Sequence, residues 1–307
     1  MISTQLVLLR RELWEHPAIY ITPLVVALII SLLSVTGQVA VSAFDQVVDM
    51  AILGATNLGD GQRAAAITIL MLSISSMFVF AMWVLTIFYS LDSLYAERKD
   101  KSILFWRSMP VTDAETVVSK LVTAMIVIPL VTFAVVVATH IVVMTITSIW
   151  VSFRGADAGF LIWKAAPLLQ NWAAILVFLL ALPLWLSPFV GWFLLVSAYT
   201  KRSPLLVAFL PIILLPMLEK ILLGTRMFSD AIFVRSAKMP LLQGMDPAGL
   251  WHDEQATINA LGESGVNLWT LVDLSGFLGS PGLWIGLAVC GIFTTASIYV
   301  RRFRDES

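Results

Sequence analysis

Uncharged apolar runs recur along the chain at 17–44, 64–91, 121–153, 165–200 and 274–300. A shorter run at 203–218 resumes after Glu219-Lys220 with Ile221, Leu222 and Leu223. A helix that crosses a bilayer takes about 20 apolar residues. Trimmed to that length, the runs predict six spans, at 19–41, 65–91, 118–149, 172–199, 204–223 and 281–300. They are continuous, whereas a β-barrel reads as alternating segments of about ten residues. The Val/Thr-rich stretch 131–147 is strand-like in composition, but in lipid a backbone must satisfy its own polar groups, so helix overrides propensity there. The expected fold class is all-α: a polytopic membrane protein of six transmembrane helices.

Several helix ends are written locally. Thr112 with Glu115 three residues on reads as a capping box, with Asp113 also in the first turn, so a helix starts near 112 and runs into the third span. Ser203-Pro204 and Ser280-Pro281 read as N-cap and first-turn pairs that open the fifth and sixth spans. Pro129, Pro183, Pro188, Pro211 and Pro216 fall inside spans, where they serve either as packing kinks or as hinges. Before the first span, Ile2, Leu6, Leu9 and Leu13 recur at helical spacing, with Arg10, Arg11 and Glu12 elsewhere on the wheel. Residues 1–16 thus read as an amphipathic interfacial helix and 17–307 as the transmembrane domain. The apolar run after Arg10 and Arg11 is too long for a signal-peptide core, so the first span is expected to be retained.

Composition supports the bilayer reading. Hydrophobic residues make up 59% and charged residues 13% of the chain, with a mean hydropathy of +0.91. Soluble domains carry about 25% charged residues. The net charge of −1 is uninformative, but its distribution is not. With the N-terminus in the cytoplasm, the inner segments hold Arg10, Arg11, Arg98, Lys99, Lys101, Arg107, Lys120, Lys201, Arg202, Arg301, Arg302 and Arg304. The outer ones hold only Arg63, Arg154, Lys164, Arg226, Arg235 and Lys238. This excess places both termini inside, as an even number of spans requires. The inner loop 92–117 is the most charged stretch and encloses an apolar island, Ile103-Leu104-Phe105-Trp106, which needs a membrane or a partner to bury it. The long outer connection 224–280 is expected to fold into short helices on the outer leaflet, with re-entrant helices as a further option.

Candidate chemistry is sparse. No G-x-x-x-x-G-K-S/T run exists to cradle nucleotide phosphates, so the chain is expected not to be an enzyme by itself and to bind no cofactor. His16, His140 and His252 are far apart, and Cys290 is the one cysteine, inside an apolar run where it packs as a small hydrophobe. No metal site is expected. Ionisable residues inside spans are functional suspects. Here they are His140, read first as packing or a local hydrogen bond, and Glu219, read either as a structural partner of another helix or subunit or as part of a gate. Adjacent Lys220 points about 100° away on the helix and does not pair with it.

The run Ala96-Glu97-Arg98-Lys99-Asp100-Lys101-Ser102-Ile103-Leu104-Phe105-Trp106-Arg107-Ser108-Met109-Pro110-Val111-Thr112, followed by Glu115 and Ser119-Lys120, resembles the first cytoplasmic loop of bacterial ABC type-2 permeases. Gly191 to Ala198 with Lys201-Arg202-Ser203-Pro204 resembles the junction of the fourth and fifth spans in that group, and the resemblance extends over essentially the whole chain. It implies a half-transporter of the bacterial inner membrane. A second copy would complete a homodimer, and a separate ABC ATPase, holding ATP and Mg, would dock on the cytoplasmic side; no nucleic-acid partner is expected. Glu97, Arg98, Lys99, Lys101, Ile103, Leu104, Phe105, Trp106, Arg107 and Pro110 would couple to that ATPase, the apolar island filling its groove and the cations meeting its acidic rim. Positive-inside anchoring for the cations, and membrane burial for the island, stand as the plainer readings. By the same resemblance substrate would pass between the second and fifth spans, where Met71, Ser75, Met77 and Glu219 are pathway candidates beside Ser73 and Ser76; such residues also serve helix packing. A charge-poor, kinked pathway suits a hydrophobic or amphipathic cargo in an exporter. Two further classes remain: a non-transporting membrane scaffold or sensory subunit of an ATPase complex, and an intramembrane enzyme, which would need converging acids or histidines that the spans do not offer.

Overall fold

The computed structural model describes residues 2–42, 52–100, 111–237, 239–241 and 268–303. Among these the chain is helical, with no strand beyond a single bridge position at Val272. Six helical segments are long and apolar enough to cross a membrane. In order, the elements are α1 (Ile2–Glu15), α2 (Ala18–Ser42), α3 (Asp60–Lys99), α4 (Asp113–Val122), a π-helical turn (Thr123–Val127), α5 (Ile128–Phe153), α6 (Leu168–Trp185), α7 (Ser187–Tyr199), α8 (Pro204–Leu222), α9 (Met227–Ala237), α10 (Leu274–Gly279) and α11 (Pro281–Phe303).

The centre of the bundle is α3, which packs on α2, α5 and α7, while α7 in turn lies along α11. The main core gathers Phe78, Met82 and Tyr89 from α3, Ile128 from α5, Leu179 from α6 and Leu194 from α7. Gly191 lets α7 and α11 approach closely: a Cβ there would sit 3.0 Å from the Cys290 Cα. Small residues at a helix crossing have this use. Cys290 is buried, as its apolar surroundings predict, and the Thr294 hydroxyl donates to its carbonyl. By contrast α8 buries only Ala208 and leaves Leu206, Ile213, Ile221 and Leu222 exposed.

Helix starts follow the local signals closely. The Thr112 Oγ1 accepts from the Glu115 N–H, and the Glu115 carboxylate accepts from the Thr112 N–H, so the predicted capping box forms. Pro204 and Pro281 are first helical residues, as expected. Ser203 differs: its backbone is left-handed, at φ 48°, and its side chain caps nothing. Pro204 already removes one of the donors a cap would serve.

Two further expectations are corrected, and two others gain detail. The 40-residue α3 runs roughly 60 Å at 1.5 Å per residue, and its last two turns, 92–99, occupy what the charge pattern predicts as loop. Charged residues continue a helix readily when they have partners. The helix that starts near 112 does run into the third span, through a π-turn just before Pro129, whose ring crowds the carbonyl four residues back and which donates no hydrogen bond. The fourth span, expected unbroken over 172–199, divides at Leu186, two residues ahead of Pro188, for the same reason. On α1 the Leu6 side of the wheel stays open, as a helix at a membrane interface requires, and a second line faces the bundle. Leu6 is 61% exposed, and the inward line is Leu8 and Glu12, with Glu12 fully buried.

Of the connection 224–280, α9, a 3-10 turn at Leu268–Leu271 and α10 are described; residues 242–267 lie outside the described residues. Leu241, Leu268 and Phe277 are buried against the bundle, and Trp185 donates its Nε1–H to the Arg235 carbonyl.

Candidate functional site: a buried ion-pair network

Four elements bring charge together at one end of the bundle. Glu12 comes from α1, Glu97 from the last turn of α3, Lys120 from α4 and Arg301 from the last turn of α11; each is at least 95% buried. The Lys120 ammonium sits between two carboxylates, 2.9 Å from Glu12 Oε1 and 3.0 Å from Glu97 Oε1. Glu97 Oε1 also takes Arg11 Nη2 at 3.0 Å, and its Oε2 takes Arg301 Nη1 at 2.5 Å. Arg301 Nε reaches Asp113 Oδ1 at 2.9 Å, and Arg11 Nε reaches Glu15 Oε1 at 2.7 Å. The second oxygen of Glu12 accepts from the Tyr89 hydroxyl at 2.7 Å. His16 lies edge-on to Tyr89, and burial lowers its pKa from the usual value against the pull of Glu12.

Such charges tolerate burial only when paired and hydrogen-bonded. Here each buried carboxylate oxygen has a donor. The arrangement is mechanical as well as electrostatic. Because Arg11 and Arg301 both bind Glu97, α1 and the end of α11 lie at the same end of the bundle. Asp113 and Glu97 flank the segment 101–110 on either side, and Arg301 holds both. The oxygens of Glu12, Glu15 and Glu97 lie within 4.8 Å of one another, close enough to hold a cation, but Arg11, Lys120 and Arg301 already supply positive charge there.

Of the ten residues expected to couple to an ATPase, three are described. Glu97 is turned into this network. Arg98 caps α7, donating through Nη2 to the Thr200 carbonyl at 2.8 Å and also to the Ser197 carbonyl. Lys99 is exposed. Lys101, Ile103, Leu104, Phe105, Trp106, Arg107 and Pro110 lie outside the described residues. Close by, the Ser197 hydroxyl accepts from the Leu94 and Tyr95 N–H groups at 3.0 and 2.9 Å, which fastens α7 to the last turns of α3.

The pathway candidates do not converge. Met71 and Ser75 are buried in a polar cluster with His140 and Trp172. Trp172 Nε1–H donates to His140 Nδ1 at 3.2 Å, so Nδ1 carries no proton; His140 Nε2 donates to the Met71 carbonyl at 3.1 Å. This assigns a neutral imidazole with its proton on Nε2. Beside it, Asn171 donates to Thr68 Oγ1 at 2.9 Å and accepts from the Leu268 N–H at 3.2 Å. Met77 is 49% exposed and outside the cluster. Glu219 finds its partner in the next helix of its own chain: it accepts from the Thr225 hydroxyl and from the Met227 and Phe228 N–H groups, and so caps α9. Ser76 instead lines a cleft of about 470 Å³ between α3 and α8.

Glu12, Tyr89, Asp113 and Arg301 were not singled out by sequence reasoning as site residues. One signal was available: Asp113 and Lys120 are seven residues apart on a helix whose start is fixed by its cap, and so share a face. Comparison of the chain with protein families, with characterised proteins and with solved structures gives no match.

Proposed function

We propose that this chain is the membrane-spanning permease subunit of an ATP-driven ABC exporter. In this reading two copies pair, a separate ATPase subunit docks at the end carrying α1 and the tip of α11, and that end faces the cytoplasm of a bacterium. ATP and Mg belong to the ATPase; this chain supplies the path for a hydrophobic or amphipathic cargo.

The observation that carries the reading is the ion-pair network that joins the helices preceding and following segment 101–110 in sequence. A docking loop is useful only if a push on it reaches the helices that line the path. The two helices leaving this segment, α3 and α4, are tied through Glu97, Lys120 and Arg301 to α1 and α11. Motion at the segment is thereby shared among four helices rather than absorbed locally. The resemblance of 96–120 to the permease loop agrees with this mechanical role, and the six long apolar helices agree with a membrane location. The exposed apolar faces of α2 and α8 leave surface for lipid and for a second copy.

The test is the double variant Phe105→Ala with Trp106→Ala. Buried aromatic anchors dominate protein interfaces, so its ATPase association or coupled turnover should fall at least about tenfold while membrane insertion is unchanged. Wild-type turnover in that variant would remove the segment from the mechanism. Transport by the reconstituted complex separates the permease from a non-transporting scaffold.

A further inference from the structure

A cleft of about 550 Å³ opens between α7, α8, α9 and α11, at the end of the bundle opposite the ion-pair network. That volume falls in the range of about 300–1,000 Å³ typical of small-molecule sites. Its walls are apolar and aromatic, with Phe189, Trp192, Ile212, Phe228, Val289 and Phe293 prominent. The Trp192 indole N–H is already spent on the Ala208 carbonyl. Among the described residues, Arg235 is the one ionisable side chain in the lining.

Its guanidinium is held firmly but incompletely. Nη1 donates to the Gly282 carbonyl at 2.5 Å, and Cζ stacks 4.3 Å from the centre of the Trp185 ring. The group rests on the bare face of Gly286, where any Cβ would overlap Nη2. Nε and Nη2 are buried, and no acceptor among the described residues reaches either. Burial lowers the Arg235 pKa, and no carboxylate among the described residues opposes the shift. An arginine does not shed its charge at ordinary pH, so a half-buried guanidinium with no carboxylate partner among the described residues, at the edge of an apolar cleft, calls for an anion. The rest of the cleft calls for hydrocarbon.

We propose that this cleft binds a single-chain amphiphile, its anionic head paired with the positive charge of Arg235 and its tail along the aromatic wall between α7, α8 and α11. The site does not depend on the permease reading, since a chain that transports nothing would still present it.

The experiment uses the full chain in an uncharged detergent with photoactivatable palmitate as the probe. Labelling should fall on α7, α8 or α11 and should be displaced by excess palmitate. Hexadecanol should compete at least about tenfold more weakly, and inorganic phosphate should not compete. Arg235→Gln should weaken labelling at least about tenfold, with Arg235→Lys retaining part of it. Arg235→Gln also removes the bond to Gly282, so Val289→Trp, which fills the cleft and spares the arginine, provides an independent loss. Equal competition by hexadecanol, or labelling indifferent to both Arg235→Gln and Val289→Trp, would overturn the proposal. Competition by inorganic phosphate as strong as by palmitate would leave an anion site without a tail site and overturn it as well. Asp246, Asp253, Glu254 and Glu263 lie outside the described residues. Labelling that appeared only after neutralising these four would make the chain's own acid the partner of Arg235, again against the proposal.

Discussion

Lys120 and Glu97 lie 3.0 Å apart, nitrogen to oxygen, with Lys120 fully buried and Glu97 4% exposed. Removing one partner of a buried pair strands the other charge, at a cost of about 3–5 kcal/mol. Lys120→Met should therefore lower the melting temperature in detergent markedly, since it leaves Glu12 and Glu97 facing each other without their shared cation. Adding Glu12→Gln should recover part of the loss, because one stranded carboxylate is gone. An unchanged melting temperature in Lys120→Met would show that the three side chains do not meet.

The polar cluster at Asn171 makes a separate stability prediction. Asn171→Ala removes the acceptor for the Leu268 N–H and the donor to Thr68, both buried. Unsatisfied buried groups cost about 1–3 kcal/mol, so the variant should melt earlier. Trp172→Phe should cost less, about 1 kcal/mol, because His140 loses one neutral hydrogen bond and keeps that to Met71. A variant of either kind that alters turnover of the proposed transporter without altering stability would move this cluster from packing into the path.

Glu219 caps α9 within its own chain, so Glu219→Gln, which keeps one acceptor oxygen, should leave turnover near wild type. A large change in turnover with unchanged expression would return this carboxylate to a gate.

The common attachment of Arg11 and Arg301 to Glu97 makes a topological prediction. In a Cys290→Ala background, cysteines at Trp14 and Phe303, both exposed, should share one accessibility to an impermeant maleimide. A cysteine at exposed Lys164 should show the opposite accessibility. With the N-terminus inside, only the Lys164 position labels in intact cells. Labelling of Trp14 and Phe303 from opposite sides would contradict the fold.

The long elements were legible because length and apolarity determine them. The first span, expected at 19–41, is Ala18–Ser42, and the fifth, expected at 204–223, is Pro204–Leu222. The capping box at Thr112 was legible for a similar reason, since its chemistry spans only four residues. The ion-pair network was not. Glu97 and Arg301 are 204 residues apart, and each read alone is a charge at a helix end, which fits a solvated rim as well as a buried pair. Glu12 shows the same limit in α1, where the apolar spacing points to the Leu6 face and the partners Lys120 and Tyr89 draw the glutamate inward instead. Arg235 was read only as an outer-loop cation, because its stacking on Trp185 and its place on Gly286 come from packing across the bundle.

The most direct test of the permease reading is mild-detergent affinity purification of the tagged protein from its own host, with mass spectrometry of what accompanies it. The account predicts a stoichiometric P-loop ATPase that is lost when Phe105 and Trp106 are both replaced by alanine. Purification of the intact chain with no ATPase at any detergent strength would contradict it.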